Sequence, residues 1–182
     1  MRHNLPPAPW QKFLSELDER LTEPVQLNCI GGFVVSLLYG MPRPTADVDF
    51  LTVVPHTEMG HLLELAGQGS ALHTRFGLYL QHVGVVSLPE AYEARLIPMF
   101  PGAYRNLRLW GAEAYDLALS KVERNLGRDR EDIKHLGRTV PLDADVLEQR
   151  YKQELRPYLV NIERYDLTIR LWIEMLREQS QR

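Results

Sequence analysis

The chain has 182 residues, of which 45% are hydrophobic, 25% charged and 9% aromatic, which excludes a disordered or fibrous protein. A formal net charge of -3 excludes a nucleic-acid wrapper driven by bulk positive charge, but not an enzyme with a local basic patch. The lone cysteine, Cys29, excludes an intrachain disulfide framework and a multi-cysteine metal site.

The first seven residues, Met1 to Pro7, lack the apolar stretch of a signal peptide and read as a short mobile lead. Phe33 to Tyr39 is the longest apolar run, far short of the roughly 20 residues that span a bilayer. The expected compartment is therefore the cytoplasm, with no membrane partner. A helix is expected from Ala8 to Leu21, where Trp10, Phe13, Leu14, Leu17 and Leu21 recur at spacings of three and four, and Pro24 stops it. Val25 to Ile30 reads as a strand ending at Gly31-Gly32. A helix opens at those glycines, runs through Phe33 to Tyr39 and closes at Gly40. Pro42 and Pro44 keep the next segment extended, and Val48 to Val54 is a second strand.

His56 to Ala66 is expected to be helical, Leu78 to Val86 a third strand, Glu90 to Arg95 a short helix and Asn106 to Trp110 a fourth strand. Four amphipathic stretches follow, over 112–125, 128–137, 143–158 and 162–179. The order of elements is that of an α+β or α/β protein. It divides into an α/β core over residues 1–110 and a helical region over 111–182 packed on that core. The last helices either pack on the core or offer a dimer surface.

Two constellations carry chemistry. Gly31 and Gly32 lie between a strand and a helix, where they either make a tight turn or let a phosphate approach the backbone. Asp47 and Asp49 flank Val48, so on a strand their carboxylates share one face. Two adjacent carboxylates repel unless a cation or proton intervenes. The pair is either a solvated start to the strand or an all-oxygen site of the kind that holds Mg²⁺ with substrate phosphates.

Read together, Ile30-Gly31-Gly32, the apolar helix and Arg43-Pro44-Thr45-Ala46-Asp47-Val48-Asp49 resemble the signature of the DNA-polymerase-β-like nucleotidyltransferase superfamily. The Arg43, Thr45, Asp47, Asp49 form is similar to the DUF6036-like small bacterial nucleotidyltransferases related to AbiEii-type toxins. The resemblance implies an α+β fold with a small mixed sheet flanked by helices and followed by a helical part. It also implies Mg²⁺-dependent transfer of a nucleoside monophosphate from an NTP to a hydroxyl. Asp47 and Asp49 would hold the metal, and Gly31 and Gly32 would present backbone to the triphosphate. Arg43 and Thr45 would contact phosphate or brace the acidic loop. Arg43 is equally suited to pairing with Asp47 or Asp49.

Many superfamily members place a third carboxylate on a later strand. Leu78 to Val86 carries no acid, only Gln81 and His82, and Glu90 and Glu93 lie beyond Pro89. His82 is a possible base, as imidazole side chains can be in general, or an ordinary half-buried or surface histidine.

The second constellation is Lys121 to Asp132. Lys121, Arg124 and Arg128 would share one basic face if a helix persisted, although Gly127 is expected to break it. Asp129 and Asp132 then open the next helix. On pattern alone this is a salt-bridged surface helix pair or part of a site. It too resembles the AbiEii-type pattern, a lysine followed by an Arg-Asp-x-x-Asp-like element, here Lys121 and Arg128 to Asp132. By that resemblance Lys121 meets the triphosphate, while Asp129 or Asp132 orients it or joins the site.

The histidines His3, His56, His61, His73 and His135 show no metal-ligand spacing, and Cys29 reads as inert core. The leading expectation is a toxin-like or regulatory nucleotidyltransferase acting on RNA, tRNA included, or on protein. The rival expectations are a catalytically weakened nucleotide-binding module and a toxin–antitoxin interaction protein with a cognate partner.

Overall fold

A computed structural model describes residues 5–140 and 142–180. The start of the expected lead, with His3, lies outside these residues. The described chain forms two compact units. One holds the residues up to Leu38, Pro42–Gly84 and Leu96–Gly111. The other holds Tyr39–Met41, Val85–Arg95 and the chain from Ala112 onward.

The first unit is built on a five-stranded mixed sheet, of strands β1 (Val25–Cys29), β2 (Asp47–Val54), β3 (Tyr79–His82), β4 (Ile97–Met99) and β5 (Leu107–Gly111). Their order is β3-β2-β1-β5-β4. β1 is antiparallel to β2 and parallel to β5, β2 is parallel to β3, and β4 is antiparallel to β5. This is the α+β class that the element order implies. Val25, Leu27, Cys29, Val48, Phe50, Leu80, Leu107 and Leu109 are all buried and alternate along their strands, so they mark one core face.

Helix α1 (Trp10–Arg20) buries Trp10, Phe13, Leu14 and Leu17. Helix α2 (Gly31–Leu37) buries Phe33, Val34 and Val35, and Trp10 meets Phe33 edge-on at 4.9 Å between ring centroids. Asp18 fixes the start of β5, because its carboxylate accepts the backbone N–H groups of Arg105, Asn106 and Leu107. The His56 to Ala66 segment starts as a 3-10 turn, His56–Glu58, and becomes helix α3 over Met59–Ala66.

The third strand is shorter than Leu78 to Val86. Val83 N still donates to Phe50 O at 2.9 Å, and the chain past Gly84 leaves the sheet. Two elements were not expected. Helix α4 (Ala71–Phe76) begins at Ser70, whose side chain accepts from His73 N, and ends at Gly77. β4 contains Pro98, which only an edge strand tolerates, and β4 is at the edge of the sheet.

The second unit holds helices α5 (Ala114–Leu119), α6 (Gly127–Thr139), α7 (Ala144–Arg150) and α8 (Ile162–Ser180). α7 runs on through a π turn, Tyr151–Leu155, and a 3-10 turn, Arg156–Tyr158. α5 stops six residues short of the expected end at 125 and the chain turns, so Lys121, Arg124 and Arg128 do not share a helical face. Gly127 opens α6 rather than breaking an earlier helix. No helix among the described residues is long and apolar enough to cross a membrane.

Asp116 on α5 is fully buried. Arg95 binds it through Nε and Nη2, both at 2.8 Å, and also binds Glu154 at 2.7 Å. Arg150 adds a longer contact to Asp116 at 3.4 Å and pairs with Glu113. An Arg95→Met protein is expected to lose about 3–5 kcal/mol, because a buried carboxylate keeps its desolvation penalty and loses its bidentate partner. Urea unfolding measures this, and a midpoint equal to wild type would show the pair to be dispensable.

Candidate active site

Asp47 and Asp49 stand on β2 and are both half-buried, while Val48 between them is fully buried. The two carboxylates therefore share the sheet face opposite the core. Three local features hold them. Thr45 Oγ1 donates to Asp47 Oδ1 at 2.6 Å. Ile30 N donates to Asp49 O at 2.9 Å. Ser36 Oγ donates to Arg43 O at 2.9 Å, which ties the proline-flanked loop to α2.

Gly31 has φ +73° and presses its backbone against Asp49. A Cβ there would fall 3.0 Å from Asp49 Cγ and closer still to Oδ2. A Cβ on Gly32 would meet Thr45 Oγ1 at 3.4 Å. The two glycines thus adjoin the residues of the acidic loop.

A β-bulge follows immediately. Cys29 pairs with Phe50 and Asn28 with Thr52, so Leu51 is the extra residue. The buried positions shift from Val48 and Phe50 to Val53 across it. Bulges re-aim side chains beside functional sites, and this one lies two residues beyond Asp49. On the neighbouring β3, Tyr79 aligns with Asp47 and Gln81 with Asp49. Burial and then Asp47 and Asp49 push the Tyr79 hydroxyl pKa upward. Tyr79 was not singled out in the sequence, though its place two residues before Gln81 put it on the same face. His82, one residue on, has its ring 5.5 Å from that of Phe50 and its Nε2 3.2 Å from Leu51 O. Burial and then Asp49 push the Cys29 thiol well above its usual range, so it stays protonated and inert as expected.

Among the described residues no group of three or more His, Cys, Asp or Glu side chains is placed to hold a metal. The acid pair still fits Mg²⁺, which is commonly held by one or two carboxylates with substrate phosphates and water.

The second constellation lies in the second unit. Lys121 follows the end of α5 and is only 3% exposed. Its Nζ is 3.0 Å from Asp132 Oδ2 and 3.6 Å from Asp129 Oδ1. Both aspartates are buried on α6. Asp129 also takes Arg124 bidentately, at 2.9 and 2.5 Å, and accepts Leu126 N at 2.9 Å. Lys121, Asp129 and Asp132 therefore come together as one buried cluster. Asp47, Asp49, Gly31, Gly32 and Thr45 come together in the first unit, on a loop whose Arg43 backbone is tied to α2 by Ser36.

A family model described as "Nucleotidyltransferase of unknown function (DUF6036)" matches residues 11–179, which include both clusters. The chain belongs to this family. No curated protein and no solved structure matches it.

In this member of the DUF6036 family, Gln81 rather than an acid stands beside Asp49 on β3. The DUF6036 chain also has a groove of about 590 Å³ in its second unit, lined by Tyr151, Ile169, Ile173, Arg156, Asp166 and Arg170 among others. None of the residues expected at the site lines it.

Burial would raise the Asp129 pKa, but Arg124, the Leu126 N–H and Lys121 outweigh it and hold the carboxyl below its ordinary value. A group with a depressed folded pKa stabilises the protein fully above its unfolded value of roughly 3.9. That contribution is lost as pH falls through the folded value. An Asp129→Asn member of this family is therefore expected to be less stable than wild type at neutral pH, and the gap to close in acid. Urea midpoints at neutral pH and below about pH 3 measure it, and a gap unchanged by acid contradicts the ion-pair account.

Proposed function

We propose that this protein is a Mg²⁺-dependent nucleotidyltransferase that moves a nucleoside monophosphate from an NTP to a hydroxyl of RNA, tRNA included, or of protein. The observation that supports this best is the joint geometry of Gly31, Thr45, Asp47 and Asp49. A backbone turn without a side chain lies against a braced pair of carboxylates on one strand face.

Asp47 and Asp49 would hold Mg²⁺, which when bound neutralises phosphate charge and polarises the reacting phosphoryl group. Thr45 fixes the rotamer of Asp47, so the carboxylate is oriented before substrate arrives. Gly31 and Gly32 would present backbone to the triphosphate, while the missing Cβ of Gly31 makes room for the Asp49 carboxylate beside it. Arg43 carries positive charge on the loop that Ser36 anchors, suited to a phosphate. In the transfer, the acceptor oxygen bonds to Pα, the Pα–O bond to pyrophosphate breaks, and the hydroxyl proton passes to solvent. The resemblance to AbiEii-type proteins supports a toxin-like or regulatory setting, with a cognate antitoxin or toxin as partner and the cytoplasm as compartment.

The reading is tested with each α-³²P-labelled NTP, Mg²⁺, and separate pools of total RNA and total protein. Label entering one pool names the nucleotide and the acceptor class. Gln81 beside Asp49 favours one rival, a nucleotide-binding module without turnover. NTP binding with no label in either pool supports that rival and overturns the enzymatic reading.

A further inference from the structure

α8 is amphipathic twice over. Thr168, Ile169, Trp172, Ile173 and Leu176 are its buried stripe. On the opposite side Leu167 and Leu171 are each 53% exposed, one turn apart. Scattered surface leucines are normal, but these two have an ordered setting. Arg164 precedes Leu167 by three residues, and Glu174 follows Leu171 by three. With Glu178 the series Arg164, Leu167, Leu171, Glu174, Glu178 steps by three and four, the spacing of a coiled-coil seam. Arg164 lies over the ring of its neighbour Tyr165 at 5.9 Å. Among the described residues, neither Arg164 nor Glu174 has an ion-pair partner within its own chain.

We propose that this stripe seats a second copy of the chain, α8 against α8, antiparallel. Place the two-fold axis between Leu167 and Leu171. Each Leu171 then lies against Leu167 of the second copy, giving two leucine layers at the centre. Arg164 of each copy falls opposite Glu174 of the other, so an opposite-charge pair closes both ends. A parallel pairing would set Arg164 against Arg164 and Glu174 against Glu174, which is repulsive. The charge order thus selects both the partner and the direction. One helix pair is a small interface, so the dimer is a weak one that forms with rising concentration.

Sedimentation velocity over a concentration series of the full chain tests this. Wild type is expected to move toward twice the chain mass, while Leu167→Glu with Leu171→Glu stays monomeric with an unchanged circular dichroism spectrum. Arg164→Glu alone is expected to weaken dimerisation about tenfold, and Glu174→Arg added to it to restore the wild-type value. For direction, an Arg164→Cys protein mixed with a Glu174→Cys protein should form a disulfide-linked dimer on mild oxidation, and neither alone should. Cys29 is fully buried and does not compete. A wild type that stays monomeric, or a double-leucine variant that still dimerises, overturns the proposal. Cross-linking of Arg164→Cys with itself overturns the antiparallel arrangement.

Discussion

A Gly31→Ala protein is expected to fold and to lose about a hundredfold or more of its nucleotidyl transfer. The reason is local. Position 31 sits at φ +73°, where a side chain costs of order 1–3 kcal/mol, and its new Cβ would collide with the Asp49 carboxylate. Asp49 is held from behind by the sheet, because its backbone carbonyl accepts Ile30 N. Its side chain must therefore rotate away from the face that it shares with Asp47. Displacements of about 1 Å at a reacting centre cost on the order of a hundredfold, whereas the fold loses only the backbone strain. Rate and urea midpoint are read on the same preparation. Gly40 has a similar φ of +73° with nothing within 4 Å of a Cβ, so Gly40→Ala is the matched control for backbone strain. If the two variants lose equal activity, the Gly31–Asp49 contact is not what the site depends on.

The second large effect is expected at Lys121. Its side chain is only 3% exposed, against Asp129 and Asp132, which are 0% and 1% exposed. Lys121→Met keeps the length of the side chain and removes the charge. It leaves two buried carboxylates with one cation fewer, and the expected loss is about 3–5 kcal/mol. Asp129 retains Arg124, whereas Asp132 loses its lysine partner at 3.0 Å. Lys121→Met with Asp132→Leu removes both charges and is expected to recover part of the loss, since the buried carboxylate that lost its lysine is removed with it. Urea unfolding of the single and double variants measures the coupling. Additive losses would mean that Lys121 and Asp132 do not interact.

The main elements of both units were legible because their periodicity is strong. Trp10, Phe13, Leu14 and Leu17 mark α1, and Ile169, Trp172 and Leu176 mark the buried side of α8, whereas Leu167 and Leu171 of the same apolar pattern are exposed. The acid pair was legible because alternation along a strand places positions 47 and 49 together whatever the rest of the fold does. The contact of Gly31 with Asp49 was not, since it joins two elements through a left-handed turn. The bulge at Leu51 was hidden as well, because strand register depends on pairing rather than on one strand's pattern. β4 was lost to its own Pro98, and α4 was too short for a periodic signal, although Ser70 and Gly77 are ordinary caps. The burial of Lys121 was the largest surprise. Its neighbours suggested a basic face or a salt-bridged surface helix pair, but the turn after Ser120 points it at two aspartates of the next helix.

An acceptor is not needed to test the carboxylate pair itself. Mn²⁺ stands in for Mg²⁺ and is followed by electron paramagnetic resonance, with a non-hydrolysable NTP analogue present or absent. The wild-type protein is expected to hold Mn²⁺ with the analogue, and an Asp47→Asn, Asp49→Asn protein to weaken that binding at least about tenfold with its fold intact. Equal Mn²⁺ and analogue binding by both proteins would contradict the assignment of Asp47 and Asp49 as the metal–nucleotide site.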